Sequence, residues 1–424
     1  MILYFILAFV TVIKESFLFI KALGRLRSGG TCIQDFVYMV FYFFFVFPIL
    51  SQILVPDYHY IIFYRADDAM RDMQSNMIYL AFVWVFSFFI QYSATKDRKI
   101  VSDKLEVQVF VTNICTWMVV ICFAITLALS GLQVILGGYG YAYLNQEVIS
   151  VNEGIIGCGI ISFLIVLGSH RYVSKFRIAF LSIFVFGFFW IVGKRYIIAE
   201  TLVMTISILG MTRGVSGKGM VKGLFLGGAF IVIGGFLYGV FFKKNVDSFL
   251  DYLNVDFSRQ YTLVYQFYCD KIGRQISINQ YDGIVYLLTF FVPRIFWFDK
   301  PYPFVNYLTL SLVGQDEVAF ENAGWATTCS IFSDLYDSFS YLGLGLGIWL
   351  LVTLFHKVNR ESRCHYKVLL LYLIIRLLTV QISSSIVQIT VVFFIVTIAS
   401  WLGRKKKYYN ISSMKHVPHT ISCK

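Results

Sequence analysis

The run Phe291-Val292-Pro293-Arg294-Ile295-Phe296-Trp297-Phe298-Asp299-Lys300-Pro301-Tyr302-Pro303 holds three of the six prolines in a chain of 424 residues. Proline fixes φ and has no amide proton, so this stretch cannot be a helix interior and reads as a rigid bend. It lies inside 243–337, the one long polar interruption between apolar runs. An insert of that length more often carries function than merely spaces helices. It divides the chain into an apolar body at 1–242, a large loop at 243–337, a second apolar body at 338–403 and a basic tail at 404–424.

The composition on either side of the loop sets the class. Hydrophobic residues make up 58% of the chain and charged residues 14%; mean hydropathy is +0.72. That apolar surplus exceeds what a soluble core of this size needs, so it faces lipid. Apolar runs fall at 2–20, 33–54, 75–90, 107–129, 154–167, 178–192, 196–211, 223–242, 341–355, 368–382 and 384–401. The expectation is an all-α polytopic membrane protein of about eleven transmembrane helices, several shorter than the roughly 20 residues a crossing prefers. The first run has no basic start or cleavage site and reads as a retained anchor.

The net charge of +12 is mainly an orientation signal. Lys and Arg crowd into alternate connections: Lys21 to Arg27, Lys96 to Lys104, Arg171 to Arg177, Arg213 to Lys222, Lys357 to Lys367 and the tail. Cytoplasmic connections retain such cations, so the tail is expected inside, and the N-terminus and the 243–337 loop outside. That loop carries eleven Asp and Glu against seven Lys and Arg, which disfavours nucleic acid as a partner.

Some charges fall where lipid should be. A helix over 178–211 would be about 50 Å long, too long for a core of about 30 Å, so the run splits into two at Gly193-Lys194-Arg195. Cations at that depth snorkel to headgroups or line an anion site. Arg376, inside the run 368–382, needs a buried partner and reads equally as helix–helix glue or as a substrate contact.

Other chemistry is thinly represented. No CxxC, GxGxxG, GxxxxGK[ST] or GxSxG motif occurs, and no His/Asp/Glu cluster has metal-ligand spacing. A nucleotide-dependent enzyme is disfavoured, and neither cofactor nor metal is expected. Cys269 and Cys329 share the outer loop and are close enough in type and compartment to consider as a disulfide. Within the loop, the apolar segment 283–298 is too short to cross and is expected in the interface, with Trp297 and Tyr302 at headgroup level. Arg294 and Lys300 then fall at the depth of a lipid diphosphate, one as a planar fork and the other as a point charge. Gly343, Gly345 and Gly347 open the following run and permit close helix packing.

Pro293-Arg294, Trp297, Asp299-Lys300-Pro301, Asp334-Leu335-Tyr336, the 343–347 glycines and Gly193-Lys194-Arg195 together resemble the bacterial O-antigen polymerase (Wzy) family. The likeness extends over the whole chain in architecture and is confined to these patches in sequence. It implies a GT-C-like fold and a glycosyltransferase in the bacterial inner membrane, with the long loop in the periplasm. The implied reaction moves a glycan chain from undecaprenyl diphosphate onto an incoming lipid-linked repeat, without nucleotide sugar, metal or other cofactor. Implied partners are undecaprenyl-diphosphate-linked oligosaccharides, membrane lipids, a chain-length regulator and a flippase. Members with two sizeable basic periplasmic loops differ from this chain, whose earlier loop shrinks to Lys194-Arg195.

A glycosyl diphosphate needs its departing phosphate charge stabilised, and preorganised cations do this. Arg195, Arg294 and Lys300 are the first candidates, with Lys194, Arg259, Arg274 and Arg376 beside them and Trp297, Tyr302 and Tyr336 as contacts. An acceptor hydroxyl needs a carboxylate for its proton, and Asp299, Glu321 and Asp334 are candidates that the residues alone do not separate. The rival readings are an O-antigen ligase, whose loop histidine this loop lacks, a lipid-linked oligosaccharide flippase or transporter, and a membrane scaffold.

Overall fold

The computed structural model describes residues 2–28, 32–55, 59–60, 63–97, 106–131, 149–192, 195–212, 217–238, 258–314, 327–380, 383–403 and 408–410. Each of the eleven apolar runs forms the body of a helix. In chain order the helices are α1 (Ile2–Arg27), α2 (Ile33–Leu54), α3 (Ala66–Arg71), α4 (Met73–Asp97) and α5 (Val109–Ser130). They continue as α6 (Ile149–Gly168), α7 (Lys175–Val192), α8 (Arg195–Met211) and α9 (Gly217–Tyr238). The long loop contributes α10 (Gln260–Lys271), α11 (Asp282–Thr289) and α12 (Phe304–Val313), and the chain closes with α13 (Ile331–Arg360), α14 (Cys364–Thr379) and α15 (Ser383–Leu402). Among the described residues, six helices (α1, α2, α4, α5, α7 and α13) are long and apolar enough to cross a bilayer. The chain is an α-helical, multi-pass membrane protein.

Polar contacts sort the helix ends into two groups. At one end β1 (Glu106–Gln108) pairs antiparallel with β2 (Tyr408–Asn410), and the Glu106 amide donates to the Ser362 carbonyl at 2.8 Å. Beside them the buried Asp97 carboxylate accepts from Gln34 at 2.7 Å and Asn359 at 2.9 Å and pairs with His356. At the other end Tyr4 donates to Gln52 at 2.6 Å, Lys271 pairs with Asp72 at 2.5 Å, and Tyr261 meets Thr327 at 2.6 Å. The first end gathers connections of the cation-rich set; the second joins residues 59–72 to the long loop. Hydrogen bonds between helix ends hold each group because those groups leave the apolar layer together.

Two departures from regular helix matter for the site. Pro48 has no N–H, so the Phe44 carbonyl four residues earlier loses its helical donor. The chain opens into a π turn at Tyr42–Val46, and the Arg259 amide donates to the Phe44 carbonyl at 3.0 Å. A proline in α2 thus creates the acceptor that docks the start of α10. In α13, Ser340 adopts φ +51° and ψ −137°, breaking the helix into two arms. The break brings the Leu335 carbonyl so close to Gly343 that a Cβ there would lie 2.0 Å from it. Gly343 is needed at this approach; Gly345 has open space around its Cβ position and packs against nothing. The large exposed apolar side chains of α13 begin on either side of the break, at Phe339, Tyr341 and Leu342, so the crossing arm starts at the break and residues 331–338 belong with the long loop.

Candidate functional site

Four residues from three distant stretches of the sequence meet where α8, α10 and α14 converge. Arg376 on α14 donates to Glu200 on α8 at 2.8 Å, and both side chains are 5% exposed. Thr379, in the last turn of α14, donates through its hydroxyl to the other Glu200 oxygen at 2.6 Å. The Arg259 guanidinium, fully buried, donates from Nε and Nη2 to the Thr379 carbonyl at 2.8 and 2.6 Å and stands 5.0 Å from the Phe44 ring centre. A helix C-terminus leaves its last carbonyls without helical donors and favours a cation, which accounts for Arg259 at this position. Two arginines and one glutamate are thus buried together at this point. Arg195, on the opening residue of α8, precedes Glu200 by five positions.

An apolar cavity of about 330 Å³ reaches two of these residues, Glu200 and Thr379. Phe19, Phe36, Phe43, Phe44 and Phe225 line its length, and Glu200 and Thr379 form its polar end. Phe43 and Phe225 are also exposed on the lipid-facing surface, so the slot is continuous with the bilayer side of the helices. A second, water-sized space of about 10 Å³ lies beyond Glu200, lined by Arg376, Tyr372 and Gln388.

Carboxylates approach from the long-loop side. Cys329 Sγ lies 3.7 Å from Asp334, and its thiol is pushed far up by burial and by that carboxylate, with Arg259 opposing. Asp337, half-buried on the first arm of α13, accepts from Ser277 at 2.5 Å. Burial raises its pKa to about 7; the Ser277 hydroxyl pulls the other way and the nearby Asp282 adds to the rise. Tyr336 donates to Asp270 at 2.9 Å and packs edge-on to Phe267.

The proline-rich bend forms a separate group. Arg294 donates to the Lys300 and Pro301 carbonyls at 2.6 and 3.0 Å and lies over the Tyr302 ring at 3.8 Å. Lys300 is buried and donates to the Thr289 and Val292 carbonyls at 2.7 and 2.9 Å. Loss of water around the ammonium, with Arg294 nearby, lowers its pKa.

The structure therefore brings Arg259 and Arg376 together through Glu200 and Thr379, and separately joins Arg294, Lys300 and Tyr302. Asp334 sits on the Arg259 side; Tyr336 is engaged by Asp270; Arg274, Trp297 and Asp299 are exposed. Lys194 and Glu321 lie outside the described residues, as does the side chain of Arg195. The sequence reading missed Glu200, Thr379 and Asp337. Its remark that Arg376 needs a buried partner was the one signal that pointed to Glu200. Cys269 and Cys329 are both buried free thiols, not a disulfide. Among the described residues no group of three or more His, Cys, Asp or Glu is placed to hold a metal ion. No protein-family model, curated protein or solved structure matches this chain.

Proposed function

We propose that the protein is a membrane glycosyltransferase of the O-antigen polymerase type. It takes a glycan chain from undecaprenyl diphosphate and transfers it to an incoming lipid-linked repeat at the periplasmic face of the bacterial inner membrane. In this reading α6, α8, α9, α14 and α15 also cross, completing eleven spans, with the N-terminus outside and the tail inside. The observation that carries the proposal is the apolar slot that ends on Glu200 and Thr379 beside two buried arginines. A lipid diphosphate needs such a pairing: a lateral groove for hydrocarbon and fixed positive charge where the phosphate sits.

The roles are assigned by charge and protonation. Arg259, Arg376 and Arg195 stabilise charge on the departing diphosphate; Glu200 and Thr379 hold the first two in fixed geometry. Asp337, with a pKa near the working pH, accepts the proton of the acceptor hydroxyl, with Asp334 as the alternative on the Arg259 side. As the proton leaves, the oxygen attacks the anomeric carbon and the carbon–phosphate oxygen bond breaks to release undecaprenyl diphosphate. Deletion of the gene in cells tests the reading. Lipid A core is expected to carry at most one repeat, since single units are still made, flipped and attached; loss of even the first repeat contradicts polymerisation and favours ligase or flippase activity.

A further inference from the structure

The proline-rich bend presents an apolar surface that the proposed reaction does not use. Ile295, Phe296 and Phe298 are 87%, 82% and 90% exposed, and Leu288 and Phe291 stand out beside them. Solvent-facing side chains of this size on a loop that is otherwise tightly bonded call for an apolar partner. The neighbouring surface identifies it. Tyr281, at the start of α11, packs against Phe339 at a ring distance of 6.1 Å, and Phe339, Tyr341 and Leu342 begin the lipid-facing side of α13. The start of α11 thus lies against the lipid-facing side of α13, and the exposed tip follows from the other end of that helix.

Irregular backbone enters lipid only when its own peptide groups are satisfied. Much of this bend is bonded within itself. Pro293, Pro301 and Pro303 carry no N–H, and the amides of Val292, Phe296, Trp297 and Lys300 donate to carbonyls within the bend. The carbonyls of Thr289, Val292, Lys300 and Pro301 accept from the two cations. Lys300 caps the last turn of α11, where unpaired carbonyls and the helix dipole favour a positive charge. Arg294 closes the other side of the bend and lies flat on Tyr302. The two cations point inward to backbone oxygen while Ile295, Phe296 and Phe298 point out, with Asp299 exposed beside them.

We propose that residues 288–298 form a wedge seated in the lipid monolayer on the long-loop side, and that Arg294 and Lys300 are the internal lock that shapes it. The partner is bilayer hydrocarbon just below the headgroups, met by Ile295, Phe296 and Phe298. The inference rests on the membrane location of the chain and not on the polymerase reading, so either can fail without the other.

Site-directed spin labelling tests it on the full chain in phosphatidylethanolamine–phosphatidylglycerol vesicles. The described native cysteines are buried, and Cys423 in the tail is replaced by Ser to keep labelling selective. Labels at Phe296→Cys and, independently, Phe298→Cys are expected to be open to dissolved oxygen and several-fold less open to an aqueous nickel complex than a label at the exposed Arg274→Cys. Lys300→Gln or Arg294→Gln, placed behind the Phe296 label, is expected to reduce that protection several-fold. Nickel access at 296 and 298 equal to that at 274 overturns the wedge, as does shielding from both reagents, which marks a protein partner. Unchanged protection in both Gln variants overturns the lock.

Discussion

Arg376 and Glu200 are 176 residues apart in sequence and 2.8 Å apart in the folded chain, buried on facing helices. Two opposite charges in a low-dielectric interior are tolerated together, while either alone is strongly unfavourable. Thr379 extends the pair to the Arg259 docking point, so one contact holds α8, α10 and α14 around the end of the apolar slot.

Removal of one member of this pair is expected to destabilise the protein by about 3–5 kcal/mol, because the other is left buried and uncompensated. Arg376→Met or Glu200→Gln alone should therefore lower the detergent melting temperature sharply. The double variant should regain most of the loss and still fail to elongate glycans. Thermal unfolding followed by size-exclusion chromatography, with activity in parallel, separates the structural from the functional part.

The break in α13 gives a contrast between two glycines. Gly343→Ala places a methyl group against the Leu335 carbonyl and is expected to cost about 1–3 kcal/mol, with the first arm displaced. Gly345→Ala meets open space and is expected to stabilise the helix by up to about 1 kcal/mol. Equal melting temperatures for the two variants would show that the close approach does not matter.

Asp337 is expected to tie stability and activity to pH in opposite directions. Its carboxyl titrates near 7 in the fold, above the ordinary value of 3.8, so the folded state holds the proton more tightly. That contribution is fully present below about 4 and is lost as pH rises toward 7. Transfer activity should instead rise through about 7 as the base ionises. Asp337→Asn is expected to flatten the stability slope and abolish elongation; an unchanged activity profile would remove Asp337 from the base role.

Sidedness is checked by cysteine labelling with a membrane-impermeant reagent. Arg274→Cys should react from the periplasm, and Arg360→Cys, on the exposed end of α13 at the opposite group of helix ends, should react only after permeabilisation. Reaction of both from one side contradicts the two-ended arrangement.

Much of the architecture was legible because apolar runs bounded by cations translate directly into helices: 33–54 became α2 and 341–355 the crossing arm of α13. Residues flanking three of the cationic connections, at 97–108, 356–362 and 408–410, meet at one end. The site was less legible. Arg376 announced its need for a partner, but Glu200 is selected only by how α8 packs on α14. Arg294 and Lys300 read as phosphate ligands in sequence, yet the carbonyls that bind them are set by the three-dimensional course of the bend. The run 33–54 reads as one helix; that Pro48 would free the Phe44 carbonyl for the Arg259 amide required the fold. Asp337 looked like one loop acid among eleven until burial and Ser277 set it apart.

The central claim is that the slot and its arginines act on a lipid-linked glycan to extend it. Purified protein in vesicles, supplied with undecaprenyl-diphosphate-linked repeats alone, measures this directly on a gel of chain lengths with release of undecaprenyl diphosphate followed in parallel. The account expects a ladder whose growth matches the lipid diphosphate released, without added nucleotide sugar, and no ladder from Arg259→Ala or Arg376→Ala at matched protein levels. Movement of the repeat between leaflets with no ladder and no released diphosphate would contradict it and assign the slot to transport.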